Sequence, residues 1–283
     1  MKQQVGIFGY PLGHSISPAF QQAAFDYYSL PVRYQAWPTR PEELGENVKG
    51  LRSEYYLGAN VTIPHKERVI VHIDDIDPWA GEIGAVNTIV RANDRLLGYN
   101  TDTDGFIRSL KEFSDFEPKG KKILILGAGG AARAAVFGLV KENVAALTIA
   151  NRTIGRALVL AHDINARISN VRAISLDKGP LLQASTEADL IVNSTSLGMK
   201  HGSTERTSPM GSGFIPSNAL VLDMVYNPAE TPLLRQARNA GAVTIGGLPM
   251  LIYQGAAAFE LWTGREAPIQ AMFKAGEKAL LGL

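Results

Sequence analysis

Short apolar runs alternate with longer amphipathic stretches from the start of the chain. Residues 5–8, 32–36 and 58–63 read as strands, and residues 18–28 and 41–52 between them read as helices. This is a βαβα alternation, the mark of an α/β lobe with a mainly parallel sheet. Residues 88–92 and 95–99 flank Asn93-Asp94, two residue types that tolerate positive φ, which predicts a tight hairpin. A helical stretch at 104–113 and a polar breaker at 115–122 precede a second alternating series. Its strands are predicted at 123–126, 147–150, 171–176, 190–193, 220–224 and 243–245, and six such strands suit a doubly wound, Rossmann-type sheet. Gly246-Gly247 then breaks the chain before an apolar, Ala-rich helix at 250–262, expected to return to the first lobe. The pattern predicts an α/β protein of two lobes, one domain at 1–103 plus 247–283 and another at 104–246.

Composition narrows the function. The chain has 283 residues, 46% hydrophobic and 19% charged, which is ordinary for a globular protein and leaves little room for disorder. Lys and Arg total 28 against 27 acidic residues, so no net field draws the chain to nucleic acid or an anionic membrane. Small molecules are the expected partners. The absence of cysteine removes disulfides, thiolate nucleophiles and sulfur-ligated zinc, and the five histidines lack metal-ligand spacing, so no metal is expected. The N-terminus carries no apolar stretch long enough for a signal peptide or a membrane span, which makes the cytoplasm the expected location. The chain is expected to work as a monomer or homodimer.

The clearest chemical signal is in the second lobe. The run 121–126 leads into Gly127-Ala128-Gly129-Gly130-Ala131-Ala132, in the strand, glycine turn and helix order of a dinucleotide fingerprint. Gly127 would make the turn, Gly129 and Gly130 would admit a pyrophosphate to backbone amides, and Ala132 would allow close helix packing. A helix N-terminus completes the anion site. The end of the next strand distinguishes the dinucleotides, because an acidic residue there would hold a ribose hydroxyl and repel a 2′-phosphate. Here it reads Asn151-Arg152-Thr153, with Arg156 one turn on. Arg152 offers a planar fork for phosphate and Thr153 can cap the helix, which favours NADP; solvated surface arginines are the competing reading.

In the first lobe, Gly9-Tyr10-Pro11-Leu12-Gly13-His14-Ser15-Ile16-Ser17-Pro18 joins a strand to a helix, with Ser17 as the expected N-cap. Capping accounts for Ser17 but not for Ser15, and two hydroxyls beside a helix N-terminus can cradle a carboxylate. Further motifs follow at Asn60-Val61-Thr62-Ile63-Pro64-His65-Lys66, Gly84-Ala85-Val86-Asn87-Thr88, Asn100-Thr101-Asp102-Thr103-Asp104-Gly105 and Tyr253-Gln254-Gly255-Ala256.

In order and spacing, across nearly the whole chain, these segments resemble shikimate dehydrogenases. The resemblance implies NADPH-dependent, reversible reduction of 3-dehydroshikimate to shikimate in aromatic amino-acid biosynthesis. By that similarity Lys66 and Asp102 would be the catalytic pair. Ser15 and Ser17, helped by Tyr226, would bind the substrate carboxylate, and Thr62, Asn87 and Gln254 the ring hydroxyls. The dinucleotide would be held by Gly127, Ala128, Gly129, Gly130 and Ala131, by Asn151, Arg152, Thr153 and Arg156, and by Met224 and Gly247 near the nicotinamide.

The chemistry explains why such a pair is required. Hydride arriving at a ketone carbon leaves an alkoxide that must be stabilised and protonated, which one positioned ammonium can do. A neighbouring carboxylate orients that ammonium and favours its charged form. His65, beside Lys66, sits where the family accepts apolar residues and is read as packing. His14 beside Ser15 lacks the surroundings of a hydrolase nucleophile. Two other readings remain open, a quinate or dual quinate/shikimate dehydrogenase and a non-catalytic dinucleotide-binding regulator on the same fold. The dinucleotide assignment is testable: a hydrogen bond to a charged group is worth about 1.5–3 kcal/mol, so Arg152→Asp should weaken the preference for NADPH at least ~10-fold. An unchanged ratio of NADPH to NADH efficiency would refute it.

Overall fold

The computed structural model describes residues 3–13, 15–200 and 202–282. The chain divides into two compact units, Met1–Gly105 with Ile252–Leu283, and Phe106–Leu251.

The first unit opens with β1 (Gln3–Gly9), α1 (Ser17–Tyr27), β2 (Val32–Pro38), α2 (Leu44–Gly50) and β3 (Tyr56–Val61). It continues through β4 (Asp75–Ile76), α3 (Pro78–Ile83), β5 (Thr88–Ala92) and β6 (Arg95–Tyr99). Its six-stranded sheet runs β2-β1-β3-β5-β6-β4. The pairs β1/β2, β1/β3 and β4/β6 are parallel, while β3/β5 and β5/β6 are antiparallel. The mixture has a simple cause. A hairpin turning at Asn93 (φ 60°) must make an antiparallel pair, whereas the crossovers through α1 and α2 return each strand parallel.

One face of this sheet is covered by Leu44, Val48 and Leu51 around α2, with Val69 and Ala80, packed on Phe8, Ala59, Val61, Ile89 and Leu96. Since side chains alternate along a strand, Val5 and Ile7 of β1 face the other way. Phe20, Ala24 and Phe25 of α1 are also buried, and Phe25 meets Phe259 at 5.2 Å between ring centroids. The helix α3, which hydrophobic periodicity did not reveal, is defined by its ends. Asp77 accepts from the N–H groups of Trp79 and Ala80, Pro78 opens the first turn, and Gly84 closes it in the left-handed conformation.

The second unit holds β7 (Lys122–Leu126), α5 (Gly130–Lys141), β8 (Ala146–Ala150), α6 (Ile154–Ile164), β9 (Val171–Ile174) and α7 (Lys178–Thr186). There follow β10 (Leu190–Asn193), β11 (Leu220–Asp223), α8 (Pro232–Asn239) and β12 (Val243–Ile245). All six strands are parallel in the order β12-β11-β10-β7-β8-β9, which is the doubly wound topology. Strands covered by helices on both faces must be apolar on both, and β8, β10 and β11 are buried at every position. Two helices run from one unit into the other, α4 (Asp102–Phe113) and α9 (Leu248–Thr263). The C-terminal α10 (Ile269–Leu280) packs on α1.

Gly58 shows how tightly α9 is tied to the first sheet. Its φ is +154°, and a Cβ there would fall 2.0 Å from the Ile89 carbonyl oxygen and 2.7 Å from Trp262 Nε1. Only glycine leaves room for the Trp262 indole to donate to that carbonyl, at 2.9 Å. Gly58→Ala should therefore destabilise the fold by about 1–3 kcal/mol or more, as overpacking does. An unchanged thermal midpoint would contradict this packing.

Candidate active site

The parallel strands β1 and β3 finish at the end of the sheet where the antiparallel β5 begins and β6 ends. The register pairs Phe8 with Val61, Asn60 with Thr88, and Thr88 with Tyr99. The loop after β1, the loop after β3, the residue before β5 and the start of α4 are therefore neighbours, although Ser15 and Asp102 are 87 positions apart in sequence. Those segments carry Ser15, Lys66, Asn87 and Asp102.

Lys66 Nζ lies 2.5 Å from Asp102 Oδ2, with side chains only 16% and 5% exposed. The second oxygen, Asp102 Oδ1, accepts from Asn87 Nδ2 at 2.9 Å. Asn87 Nδ2 also reaches Gln254 Oε1 at 3.2 Å, which joins α9 to the cluster. The backbone is fixed as firmly as the side chains, because Val86 N–H donates to the Lys66 carbonyl and Asn100 Oδ1 accepts from Asp102 N–H. Each oxygen of a carboxylate can accept more than one hydrogen bond, so Asp102 retains acceptor capacity beyond Lys66 and Asn87.

Ser15 and Ser17 adjoin one another at the entry to α1. Ser17 is not the N-cap expected from sequence; it is the first helical residue, and Ile16 occupies the cap position without a side-chain capping bond. Pro18 is therefore the second helical residue, not the first, and Ser15 Oγ accepts from Ser17 N–H at 3.3 Å. The serine loop lies against the Thr62 loop: Tyr10 N–H donates to the Ile63 carbonyl, and a Cβ on Gly9 would lie 2.4 Å from Thr62 Cγ2. His65 is fully buried, with Nε2 2.7 Å from the Thr39 carbonyl oxygen, while Nδ1 has no partner among the described residues. Its place is that of a packing residue tying two loops together. His14 lies outside the described residues.

In the second unit Gly127 has φ +115°, and a Cβ there would meet Ser194 Oγ at 2.4 Å, so the turn after β7 requires glycine. At Gly129 a Cβ would meet nothing within 4 Å, which leaves the amides at the start of α5 open to approach. A pyrophosphate fits this geometry. Arg152, Thr153 and Arg156 are exposed at the end of β8, and Asn151 Nδ2 donates to the Thr153 carbonyl at 2.9 Å. Thr153 occupies the N-cap position of α6 without making a side-chain capping bond, contrary to the expectation from sequence. Met224 and Gly247 come together: a Cβ on Gly247 would lie 2.4 Å from the Met224 carbonyl oxygen. Tyr226, also in this unit, is half-buried. Among the described residues no group of three or more His, Asp or Glu could hold a metal ion.

Sequence reasoning missed the residues that support these. Thr101 N–H donates to Asn87 Oδ1 at 2.8 Å, and Asn60 and Thr88 bond to Asn87 from behind. Asn193 and Asp223 do comparable work at the ends of β10 and β11. Asp223 accepts from Asn193 Nδ2, from Val225 N–H and from Thr231 Oγ1. Polar residues at the last position of an otherwise apolar strand were the available signal.

Together, a doubly wound sheet with a glycine-rich turn and a desolvated lysine–aspartate pair on a separate α/β unit define a two-unit, dinucleotide-dependent oxidoreductase. Residues 7–89 match the shikimate dehydrogenase substrate binding domain, residues 109–208 the shikimate/quinate 5-dehydrogenase family, and residues 247–275 the shikimate 5′-dehydrogenase C-terminal domain. A shikimate dehydrogenase (NADP(+)) from Symbiobacterium thermophilum is 45% identical, covering 98% of this chain and 95% of that one. A solved shikimate 5-dehydrogenase from Thermus thermophilus, in complex with NADP(H) and shikimate, is 37% identical with a TM-score of 0.87, over 98% of this chain and 99% of that one. A quinate dehydrogenase from Corynebacterium glutamicum, in complex with NAD, is 29% identical with a TM-score of 0.88, over 100% of this chain and 99% of that one. The chain belongs to the shikimate dehydrogenase family.

Burial of Asp223 outweighs its three donors and pushes its carboxyl up to about 6. The folded chain therefore keeps a proton there after the unfolded chain has released it. That stabilisation is complete below about pH 4 and is lost as pH rises through about 6. Denaturant unfolding should show the wild type losing on the order of 3 kcal/mol relative to Asp223→Asn between about pH 4 and about pH 7. A constant difference over that range would exclude the shift.

Proposed function

We propose that this chain catalyses the reversible reduction of 3-dehydroshikimate to shikimate with NADPH, in the cytoplasm and as a monomer or homodimer. The observation that carries this reading is the network joining Lys66, Asp102, Asn87 and Gln254 at one end of the first sheet's strands. A lysine and an aspartate on the surface would serve as an ion pair and little else. Here they are nearly dehydrated and surrounded by amides whose hydrogen-bonding groups suit a ring bearing several hydroxyls.

The division of labour is the one the resemblance to shikimate dehydrogenases implies. Ser15 and Ser17 hold the substrate carboxylate beside the positive end of α1, with Tyr226 assisting. Thr62, Asn87 and Gln254 bind ring hydroxyls. Gly127, Ala128, Gly129, Gly130 and Ala131 admit the pyrophosphate, Arg152 and Arg156 hold the 2′-phosphate with Asn151 and Thr153 beside them, and Met224 and Gly247 border the nicotinamide. When bound, NADPH supplies the hydride. Lys66 Nζ donates a proton to the oxygen of the reduced carbonyl carbon and stabilises the charge that develops there. Asp102 orients Lys66 through Oδ2 and accepts from the same substrate hydroxyl with its spare lone pairs.

The likeness to a quinate dehydrogenase supports a second reading, in which quinate is oxidised as well. Arg152 at the end of β8 argues against the form of that activity that uses NAD. Initial rates with shikimate or quinate, each paired with NADP⁺ or NAD⁺, separate the readings; shikimate with NADP⁺ should be the fastest pair. Lys66→Ala should lower turnover about 10²–10⁴-fold, the usual worth of general acid catalysis, and leave NADPH binding almost unchanged. Near-normal turnover in that variant would remove Lys66 from the mechanism. Binding of both ligands without turnover by the wild type would favour a non-catalytic regulator.

A further inference from the structure

Behind the catalytic pair lies a second line of buried polar groups that the proposed roles do not use. Tyr34 on β2 donates its hydroxyl to Asn60 Oδ1 at 2.7 Å. Asn60 Nδ2 donates to Thr88 Oγ1 at 3.1 Å and to the Asn87 carbonyl oxygen at 3.3 Å. Thr88 Oγ1 donates to Asn87 Oδ1 at 3.1 Å. Tyr34, Asn60, Thr88 and Asn87 are each no more than 4% exposed.

The direction of this chain is set at its Asn60 end. The Asn87 carbonyl can only accept, so Asn60 must turn its amide nitrogen there and its oxygen to the phenol. Burial raises the Tyr34 phenol well above its ordinary range, so it keeps its proton and remains a donor. Once Thr88 Oγ1 receives a hydrogen bond from Asn60, its own proton can go to Asn87 Oδ1 at 3.1 Å or to Thr101 Oγ1 at 3.3 Å, and the first is the shorter contact. With Thr101 N–H also donating to Asn87 Oδ1, Asn87 Nδ2 is the group presented to Asp102.

We infer that Tyr34, Asn60 and Thr88 are positioning residues, a one-way hydrogen-bond relay from the core of the sheet that holds the Asn87 amide toward Asp102 and so fixes the Lys66–Asp102 pair. This rests on the reaction proposed above. None of the three is assigned contact with substrate; their effect passes through Asn87.

The test is a double-mutant cycle on shikimate oxidation with NADP⁺. Tyr34→Phe removes one hydroxyl and should lower kcat about 3–10-fold, the worth of one neutral hydrogen bond, with the Kd for NADPH unchanged. Thr88→Val should act in the same direction, and Thr88→Ser, which restores the donor, should recover most of the loss. In an Asn87→Ala background the effect of Tyr34→Phe on kcat should fall below about twofold, since coupled residues are not additive. Wild-type turnover with normal kcat in both Tyr34→Phe and Thr88→Val, assayed below their melting temperatures, would overturn the relay alone. So would a Tyr34→Phe penalty that persists without the Asn87 amide. A wild type inert toward shikimate would overturn the reaction and the relay together.

Discussion

A carboxylate taken almost wholly out of water, as Asp102 is, must find donors for both oxygens or cost the fold several kcal/mol. Lys66 and Asn87 are those donors, and they come from two loops distant in sequence. Much of the first unit follows from this one requirement. The lysine loop is held by Val86, the aspartate by Asn100, and the asparagine by Thr101 and Thr88. Remove the hydrogen bonds and the ion pair becomes a liability; with them, it is a rigid donor–acceptor couple of the kind that a developing alkoxide needs.

The second unit solves a different problem by similar means. An open parallel sheet leaves backbone amides and loops at the carboxyl ends of its strands, and these ends must be shaped without a core beneath them. Gly127 makes the turn, Gly247 lets its segment approach the Met224 carbonyl, and Asp223 gathers Asn193, Val225 and Thr231. The surfaces offered to a ligand are backbone surfaces, which accounts for glycine where the chain comes close and for buried polar side chains one layer behind.

The sequence was most informative where one residue type has one use. Gly127-Ala128-Gly129-Gly130 was legible because it follows an apolar strand and opens a helix, whereas Lys66 and Asp102 were picked out only by the resemblance of the segments around them, and the structure brings the two together. The six strands of the second sheet stood out because continuous apolar runs mark strands covered on both faces. Short elements escaped: α3 has too few residues for a hydrophobic period, though Asp77-Pro78 and Gly84 marked its ends. Ser17 was misplaced by one residue because proline is read from sequence as the first helical residue, whereas Pro18 is the second. Tyr34, Asn60 and Thr88 were invisible as a group, since their contacts depend on strand register, and β2, β3 and β5 give no local sign of which residues meet across the sheet.

The geometry around the reacting carbon can be measured directly by determining the structure of this protein with shikimate bound. On this account one ring hydroxyl lies within hydrogen-bond distance of both Lys66 Nζ and the Asp102 carboxylate, and the substrate carboxylate lies at Ser15 and Ser17. Shikimate bound with that hydroxyl away from the pair, or with its carboxylate elsewhere, would contradict it.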